Sequence, residues 1–112
     1  MIGQRDILLV PFPFSDQSGR KVRPVIVVSN DNYNDKSEDF LVVGVTTNPM
    51  RNRYSIDLHN NDLEQGRLIS ECLIKVDNLL KIDKSLVIKK IGTVKGELFQ
   101  KIINIILEII KI

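Results

Sequence analysis

Residues 20–30, RKVRPVIVVSN, place four consecutive β-branched residues directly after a basic cluster and a proline. β-branched side chains favour extended backbone, and a short unbroken apolar run is typical of a buried strand. The sequence therefore predicts a buried strand over residues 25–29. Arg23 stands at the mouth of this strand, and two interpretations are open: a surface ion pair, or a side chain that binds a phosphate.

Other short apolar stretches predict further strands. The predicted strands cover residues 7–10, 25–29, 40–45, 53–60 and 68–80, and residues 87–91 fit either a short strand or a helical turn. Pro11 and Pro13 place the first strand at an edge of the sheet or at its own end, because proline lacks the backbone donor. The polar residues 15–21 and 30–39 are predicted as exposed loops on the two sides of the second strand.

The C-terminal residues 95–112, KGELFQKIINIILEIIKI, carry apolar side chains at helical spacing with polar residues between them. This pattern predicts an amphipathic helix with a wide apolar face, which the sheet, a partner helix or both could cover. Several short strands closed by one helix predict a mainly β fold, a small curled sheet or barrel.

Length and composition limit the class of protein. The 112 residues suit one domain over residues 1–112. Sixteen Lys and Arg against fourteen Asp and Glu give a net charge of only +2, so any contact with nucleic acid must come from local clusters of charge. A single cysteine, Cys72, fits a reducing compartment, and the sequence has neither a signal-peptide pattern nor the roughly 20 apolar residues of a membrane span. We therefore expect a cytoplasmic protein with no membrane partner.

Several kinds of active site are excluded. One histidine, His59, and one cysteine cannot supply the usual ligands of a zinc site, so no metal and no cofactor are predicted. The glycines do not form a Walker-type phosphate loop, and no G-x-S-x-G elbow occurs. A serine or cysteine nucleophile would have only His59 as its base.

Three segments carry a family resemblance: RDILLVPFPFSDQSGRKVRPVIVVSN (residues 5–30), FLVVGVTTNP (40–49) and IKVDNLLKIDKS (74–85). The first resembles the N-terminal signature of the MazF/PemK family of toxin endoribonucleases, in which a basic residue and a proline precede a valine-rich strand. The second resembles the family's third strand, which ends in a functional threonine or serine. The third resembles an acidic–amide pair that a second acidic residue follows.

The resemblance implies a fold, an activity and partners. The fold is a small SH3-like β-barrel of the CcdB/PemK type with added helices. The implied activity is metal-independent, sequence-specific cleavage of single-stranded RNA by the toxin of a type II toxin-antitoxin system, which inhibits translation. The implied partners are a cognate antitoxin and a second copy of the chain in a homodimer. By position, the catalytic arginine is Arg23 and the catalytic hydroxyl is Thr46, with Thr47 the next choice.

The chemistry of such a reaction can be stated from elementary principles. Without a metal, the ribose 2′-hydroxyl attacks its own phosphate, so one group must accept a proton while others stabilise the phosphoryl oxygens. Arg23 and Thr46 suit the second role. Asp77 is the candidate base, because Lys75 and Asp77 are two residues apart on a predicted strand and would share one of its faces. Some relatives have an arginine where this chain has Lys75.

The remaining candidates are residues for RNA binding. They are Arg20, Lys21, Thr47, Arg51, Arg53, Lys75 and Asn78. Where many relatives have a serine and a glutamine, this chain has Cys72 and Asn78, so its base preference is expected to differ.

Two alternatives to an RNA-cleaving toxin remain open. Gyrase-inhibiting toxins share the implied barrel and act by binding a protein, and a degenerate family member would act only through its antitoxin. A structural dimer without a ligand would explain the apolar helix but not the three ordered segments.

Overall fold

The computed structural model describes residues 2–11 and 22–112, and within them the chain forms one antiparallel sheet with two α-helices. The strands are β1 (Asp6–Pro11), β2 (Val22–Val27), β3 (Asp39–Thr46), β4 (Ser55–Leu58), β5 (Leu63–Gly66), β6 (Cys72–Asp83) and β7 (Lys89–Val94). The helices are α1 (Asp31–Lys36) and α2 (Gly96–Ile110). The order across the sheet is β4-β6-β3-β2-β1-β7-β5.

The sheet is strongly curled. Leu58 lies on one edge strand and Leu63 on the other, yet both belong to one buried cluster together with Ile7 and Ile74 from inner strands. Two edges of a sheet share a core only when the sheet bends round on itself. This confirms the prediction of a mainly β fold built on a small curled sheet.

Alternation along the strands produces two core layers. On β2, Ile26 belongs to the cluster inside the curl, whereas Val25 and Val27 belong to a second cluster with Phe40. Successive side chains of a strand point to opposite faces, so a run of valine and isoleucine fills both layers. The predicted buried strand is confirmed, although it covers Val22–Val27 instead of residues 25–29 and so includes Arg23.

The C-terminal helix covers the inner cluster. Leu98 and Ile102 of α2 are buried and pack in the cluster inside the curl. Large apolar side chains near the end of the helix, among them Leu107 and Ile110, stay exposed. The predicted amphipathic helix is confirmed, and within residues 2–11 and 22–112 no helix is long and apolar enough to cross a membrane.

The prediction of a loop over residues 30–39 was wrong, because α1 lies inside it. The Asn30 side chain accepts the backbone N–H of Tyr33 at 2.8 Å and caps the helix. Asn34 is buried, and its side-chain amide donates to the backbone oxygen of Ser29 at 3.0 Å. Polar hydrogen bonds rather than an apolar stripe hold this short helix, so hydrophobic periodicity gave no sign of it.

Several strand boundaries also differ from the predictions. The predicted strand 53–60 shortens to Ser55–Leu58, and the predicted strand 68–80 moves to Cys72–Asp83. The short strand β5 was missed, and the alternatives for residues 87–91 resolve to the strand Lys89–Val94. β1 lies inside the sheet, between β2 and β7, and Pro11 is its last residue, so the proline marks the end of the strand and not an edge of the sheet. The predicted loop 15–21 lies outside the described residues.

Candidate active site

A cleft of about 260 Å³ lies where β6, β3 and β2 run side by side. We call it the phosphate cleft. Its lining residues are Arg23, Pro24, Gly44, Val45, Thr46, Asn48, Met50, Lys75 and Asn78. Four residues predicted for the site, Arg23, Thr46, Lys75 and Asn78, are therefore brought together from three strands.

Arg23 and Thr46 enter the cleft from neighbouring strands. Val25 of β2 pairs with Gly44 of β3 at the end of this ladder. Arg23 lies two residues before Val25 and Thr46 two residues after Gly44, and both side chains line the cleft. Both side chains are half-buried. The Thr46 hydroxyl oxygen accepts the backbone N–H of Asn48 at 3.1 Å, which orients it while its own O–H proton can be donated.

Lys75 and Asn78 reach the cleft through a bulge in β6. Pairing with β3 jumps from Leu79 to Lys75 while β3 advances by one residue to Gly44, so residues 76–78 form the bulge. A bulge bends the strand and changes the direction of its side chains. Two side chains three residues apart, which strict alternation would send to opposite faces, therefore line one cleft.

Gly44 is the glycine on which this arrangement depends. A Cβ built on Gly44 would lie 2.7 Å from the Asn78 side-chain nitrogen, closer than two such atoms can pack. The missing side chain of Gly44 therefore leaves the space that the Asn78 amide occupies in the cleft. A glycine inside a strand was the available sequence signal for this close approach, and it was missed.

The described charges in the phosphate cleft are of one sign. Arg23 and Lys75 are cations, and within residues 2–11 and 22–112 no carboxylate is among the lining residues. Arginine presents a planar fork of donors that fits phosphate oxygens, and lysine adds a point charge. Together with the Thr46 hydroxyl and the Asn78 amide, these groups form a set of hydrogen-bond donors that suits a phosphodiester.

Asp77 lies outside this set. It is exposed, its carboxylate accepts the side-chain amide of Asn52 at 3.1 Å, and it is not a lining residue of the phosphate cleft. Lys75 lines the cleft and Asp77 does not, although the two are separated by one residue. The role of Asp77 as a base stays a prediction.

A second cleft, of about 320 Å³, adjoins the first, and we call it the mixed-charge cleft. Its lining residues are Thr47, Pro49, Arg51, Asp57, His59, Glu71, Cys72 and Leu73. Arg51 Nη1 donates to Asp57 Oδ1 at 2.5 Å, and this hydrogen bond holds the pKa of the Asp57 carboxyl below its ordinary value. His59 Nδ1 lies 3.9 Å from Glu71 Oε2.

The segment that follows β3 separates the two clefts. Residues 46, 48 and 50 line the phosphate cleft, whereas residues 47, 49 and 51 line the mixed-charge cleft. An extended chain sends successive side chains to opposite sides, and here each side faces a different cleft. Thr46 and Thr47, which the sequence offered as first and second choices for one role, thus lie in different clefts.

Of the other predicted RNA-binding residues, the structure describes Arg53. Arg53 is exposed, with its guanidinium carbon 5.4 Å from the centre of the Tyr54 ring and its Nη2 3.9 Å from Glu108 Oε1. It lines neither of the two clefts. Arg20 and Lys21 lie outside the described residues. Contact of these three side chains with RNA stays a prediction.

Cys72 and the acidic groups offer little for other chemistry. Cys72 is half-buried, and burial raises the pKa of its thiol, which disfavours the thiolate that a nucleophile needs. In the part of the chain that the structure describes, no three His, Cys, Asp or Glu side chains gather where they could hold a metal ion.

Some cleft residues were not singled out from the sequence. They are Asn48 and Met50 in the phosphate cleft and Asp57 and Glu71 in the mixed-charge cleft.

Comparison with known proteins places the chain in a family. It matches the model of the PemK-like, MazF-like toxin of type II toxin-antitoxin systems over residues 3–110. No curated protein sequence matches it.

Solved structures are similar in fold at low sequence identity. An endoribonuclease in complex with its cognate antitoxin, from a mycobacterial species, has a TM-score of 0.78 and 16% identity, over 96% of this chain and 93% of that chain. A chain of the MazE-MazF complex from Deinococcus radiodurans has a TM-score of 0.78 and 14% identity, over 96% and 94%. The Mycobacterium tuberculosis toxin MazF-mt6 has a TM-score of 0.74 and 16% identity, over 93% and 94%. The family match covers nearly the whole sequence, and the chain therefore belongs to the PemK-like, MazF-like toxins of type II toxin-antitoxin systems.

Proposed function

We propose that this toxin is an endoribonuclease that cleaves single-stranded RNA without a metal ion. The observation that carries the proposal is the convergence of Arg23, Thr46, Lys75 and Asn78 on one cleft, where the described lining residues include no carboxylate. Such a cleft attracts a phosphodiester and offers donors to the charge that develops on it. The similar fold of proteins described as endoribonucleases adds support.

The proposed reaction is a transfer within the RNA. The ribose 2′-oxygen forms a bond to phosphorus, the bond from phosphorus to the 5′-oxygen of the next nucleotide breaks, and that oxygen takes up a proton. The products are a 2′,3′-cyclic phosphate and a 5′-hydroxyl. Arg23 and Lys75 stabilise the charge on the phosphoryl oxygens, and Thr46 donates a hydrogen bond to one of them. DNA lacks the 2′-hydroxyl and is not cut.

Asp77 remains the candidate for the proton acceptor. It directly precedes Asn78 in the bulge, and Asn78 lines the cleft. If Asp77 takes the proton, Asp77→Asn lowers the cleavage rate about 100-fold or more and removes the acidic limb of the pH–rate profile. Asp83→Asn, a change on the same strand outside the cleft, is the matched control. A profile of unchanged shape in Asp77→Asn would exclude this role.

The experiment that tests the function is incubation with a long single-stranded RNA in excess EDTA, beside DNA of the same sequence. We expect discrete cuts in the RNA alone, with cyclic phosphate ends. Arg23→Ala abolishes cleavage, and Arg23→Lys, which keeps the charge and the stem but lacks the fork, restores only part of it. Lys101→Ala, an exposed change on α2 outside both clefts, keeps cleaving.

Thermal unfolding of each variant checks the fold, because Arg23 is half-buried. RNA that stays intact across many sequences would overturn the nuclease proposal and favour a toxin that acts by binding a protein. Cleavage by Arg23→Ala at the parent's rate would exclude the proposed site.

A cognate antitoxin is the proposed protein partner, and a third cleft suits it. This cleft has a volume of about 510 Å³, and its lining combines apolar and basic side chains. The apolar residues are Leu9, Leu68, Ile69 and Ile91, and the basic ones are Arg67, Lys89 and Lys90. An acidic segment with large apolar side chains fits such a surface.

The test of this surface is the affinity of the antitoxin for two variants. The double change Arg67→Glu with Lys89→Glu should weaken antitoxin binding at least tenfold, whereas Lys101→Glu on α2 should not. Equal affinities would exclude this surface.

A second copy of the chain is the proposed partner for the end of α2. The large apolar side chains exposed there are those of Leu107, Ile109, Ile110 and Ile112. A monomer rarely leaves such a group of side chains in contact with water, so we expect a partner to cover them. Sedimentation should show a dimer for the parent and for Lys101→Glu, and a monomer for Ile110→Glu. A parent that stays monomeric at high concentration would contradict the homodimer.

A further inference from the structure

The mixed-charge cleft and the phosphate cleft are built on the two sides of one chain segment, residues 46–51. Thr46 lines the phosphate cleft and Thr47, the next residue, lines the mixed-charge cleft, so the two clefts are neighbours on the surface. Their side chains differ in kind.

Charge separates what the two clefts can bind. Among the described residues, the charges in the phosphate cleft are those of Arg23 and Lys75, whereas the mixed-charge cleft carries Arg51 with the carboxylates of Asp57 and Glu71. Two carboxylates against one guanidinium repel a phosphate. The group that suits the mixed-charge cleft is an uncharged one with hydrogen-bonding edges.

The kinds of hydrogen bond narrow the ligand further. Ionised carboxylates only accept hydrogen bonds, so the ligand must donate them, and the Arg51 guanidinium only donates. Adenine, cytosine and guanine combine an exocyclic amino donor with ring or carbonyl acceptors, and carboxylates accept from such amino groups. Uracil has a single N–H and two carbonyl oxygens. It therefore offers only one donor to the two carboxylates and should bind this cleft weakly. The His59 ring, which is half-exposed, offers a surface on which a base can stack.

We propose that the mixed-charge cleft binds one base of the RNA, an amino-bearing base next to the cleaved bond, through Asp57, Glu71 and Arg51, and so sets the sequence preference. This inference rests on the proposed function, because it takes RNA as the ligand. It assigns specificity to residues that do not contact the scissile phosphate.

The test measures base preference by binding as well as by cleavage. A random pool of short 2′-fluoro RNA lacks the attacking hydroxyl, so the protein can select from it without cutting, and the bound fraction is sequenced. In parallel, cut sites are mapped on unmodified RNA. The proteins are the parent, Glu71→Gln, Asp57→Asn and the control Glu97→Gln, an exposed change in the first turn of α2 that touches neither cleft.

We expect the parent and Glu97→Gln to prefer adenine, cytosine or guanine at one position. Glu71→Gln and Asp57→Asn should each reduce that preference about fivefold or more, the smallest factor expected for a lost base contact. Glu71 is 87% exposed, so its replacement tests the cleft even if Asp57→Asn disturbs the chain beside Arg51. The Glu71 variant should keep the parent's thermal unfolding temperature.

The outcomes distinguish this inference from the proposed catalysis. A preference that both variants leave unchanged, or a preferred uracil at every position, overturns the inference even if the parent cuts RNA. Selection that Glu71→Gln weakens, by a protein that cuts nothing, supports the inference and overturns the catalysis. A parent that binds no RNA overturns both.

Discussion

The phosphate cleft and the mixed-charge cleft share a wall but differ in how they are held in place. Arg23 and Thr46 are half-buried on paired inner strands, and Lys75 and Asn78 follow from a bulge in the longest strand. The polar lining residues of the mixed-charge cleft are exposed and come from the segment after β3, from β4 and the residue that follows it, and from the chain before β6. Only Cys72 and Leu73, at the start of β6, are more buried. A catalytic group must be fixed by its surroundings, whereas a specificity surface tolerates variation. The difference indicates that reaction and sequence choice are set by separate, neighbouring structures.

Two adjacent threonines give the sharpest way to separate the clefts. Thr46→Ala should lower the cleavage rate by about 10- to 100-fold, because a donor to the charged phosphoryl oxygen is lost. Thr47→Ala, the same change one residue away, should stay within about threefold of the parent, because Thr47 faces the other cleft. The measurement is single-turnover cleavage of one defined RNA.

If Thr47→Ala cleaves more slowly than Thr46→Ala, the reaction takes place in the mixed-charge cleft and not in the phosphate cleft. Equal rates for both variants would show that neither hydroxyl acts on the phosphate. Either outcome is interpretable, because the two changes remove the same atoms from residues of the same type.

A smaller effect is expected from Gly44, which makes room for Asn78. Gly44→Ala should push the Asn78 amide aside, since the new Cβ would lie 2.7 Å from its nitrogen. The fold should be nearly unchanged, because the contact is with the end of a movable side chain. Cleavage should fall about fivefold, the value of one hydrogen bond.

Gly96→Ala is the control for Gly44→Ala, because a Cβ there meets nothing within 4 Å. On an Asn78→Ala background, Gly44→Ala should have no further effect on the rate. If Gly44→Ala slows the Asn78→Ala protein as much as it slows the parent, Gly44 acts through the backbone and not through Asn78.

The sequence predicted the elements that bury several apolar side chains and missed α1 and β5, which bury few. The strands β1, β2 and β3 and the helix α2 carry runs or periods of large apolar residues. By contrast, α1 depends on the Asn30 cap and the Asn34 hydrogen bond with Ser29, and β5 has one buried residue, Leu63. Hydrogen bonds between distant or polar groups leave no hydrophobic period, so pattern alone could not find them.

The candidate site divides in the same way. Arg23, Thr46, Lys75 and Asn78 came from the resemblance, and the structure brings them to one cleft. The separation of Lys75 from Asp77 could not be predicted, because it follows from a bulge, which is a property of pairing between strands. Asp57 and Glu71 were missed as well. They are exposed acidic residues of a common type, and only the pairing of β4 with β6 brings them into one cleft.

The smallest expected effect concerns the ionisation of Asp57 in the mixed-charge cleft. Its pKa is lowered first by the hydrogen bond from Arg51, so the ionised form is favoured in the folded chain. A lowered pKa means that the ion pair is fully present above the ordinary carboxyl pKa of about 3.9 and is lost as the pH falls through the lower folded value. At neutral pH the cleft therefore keeps the acceptor that an amino-bearing base needs. Because the pair is exposed, its loss should barely change thermal stability.

An NMR titration of the carboxyl carbons measures this directly. In the parent, Asp57 should titrate below its ordinary range, and in Arg51→Ala its pKa should rise toward the ordinary value. Asp83 is an internal control, because the backbone N–H of Ser85, and not an arginine, lowers its pKa. Its titration should be the same in both proteins. If Asp57 titrates alike with and without Arg51, the guanidinium does not hold the carboxylate, and Arg51 is then free to bind RNA on its own, as the sequence first suggested.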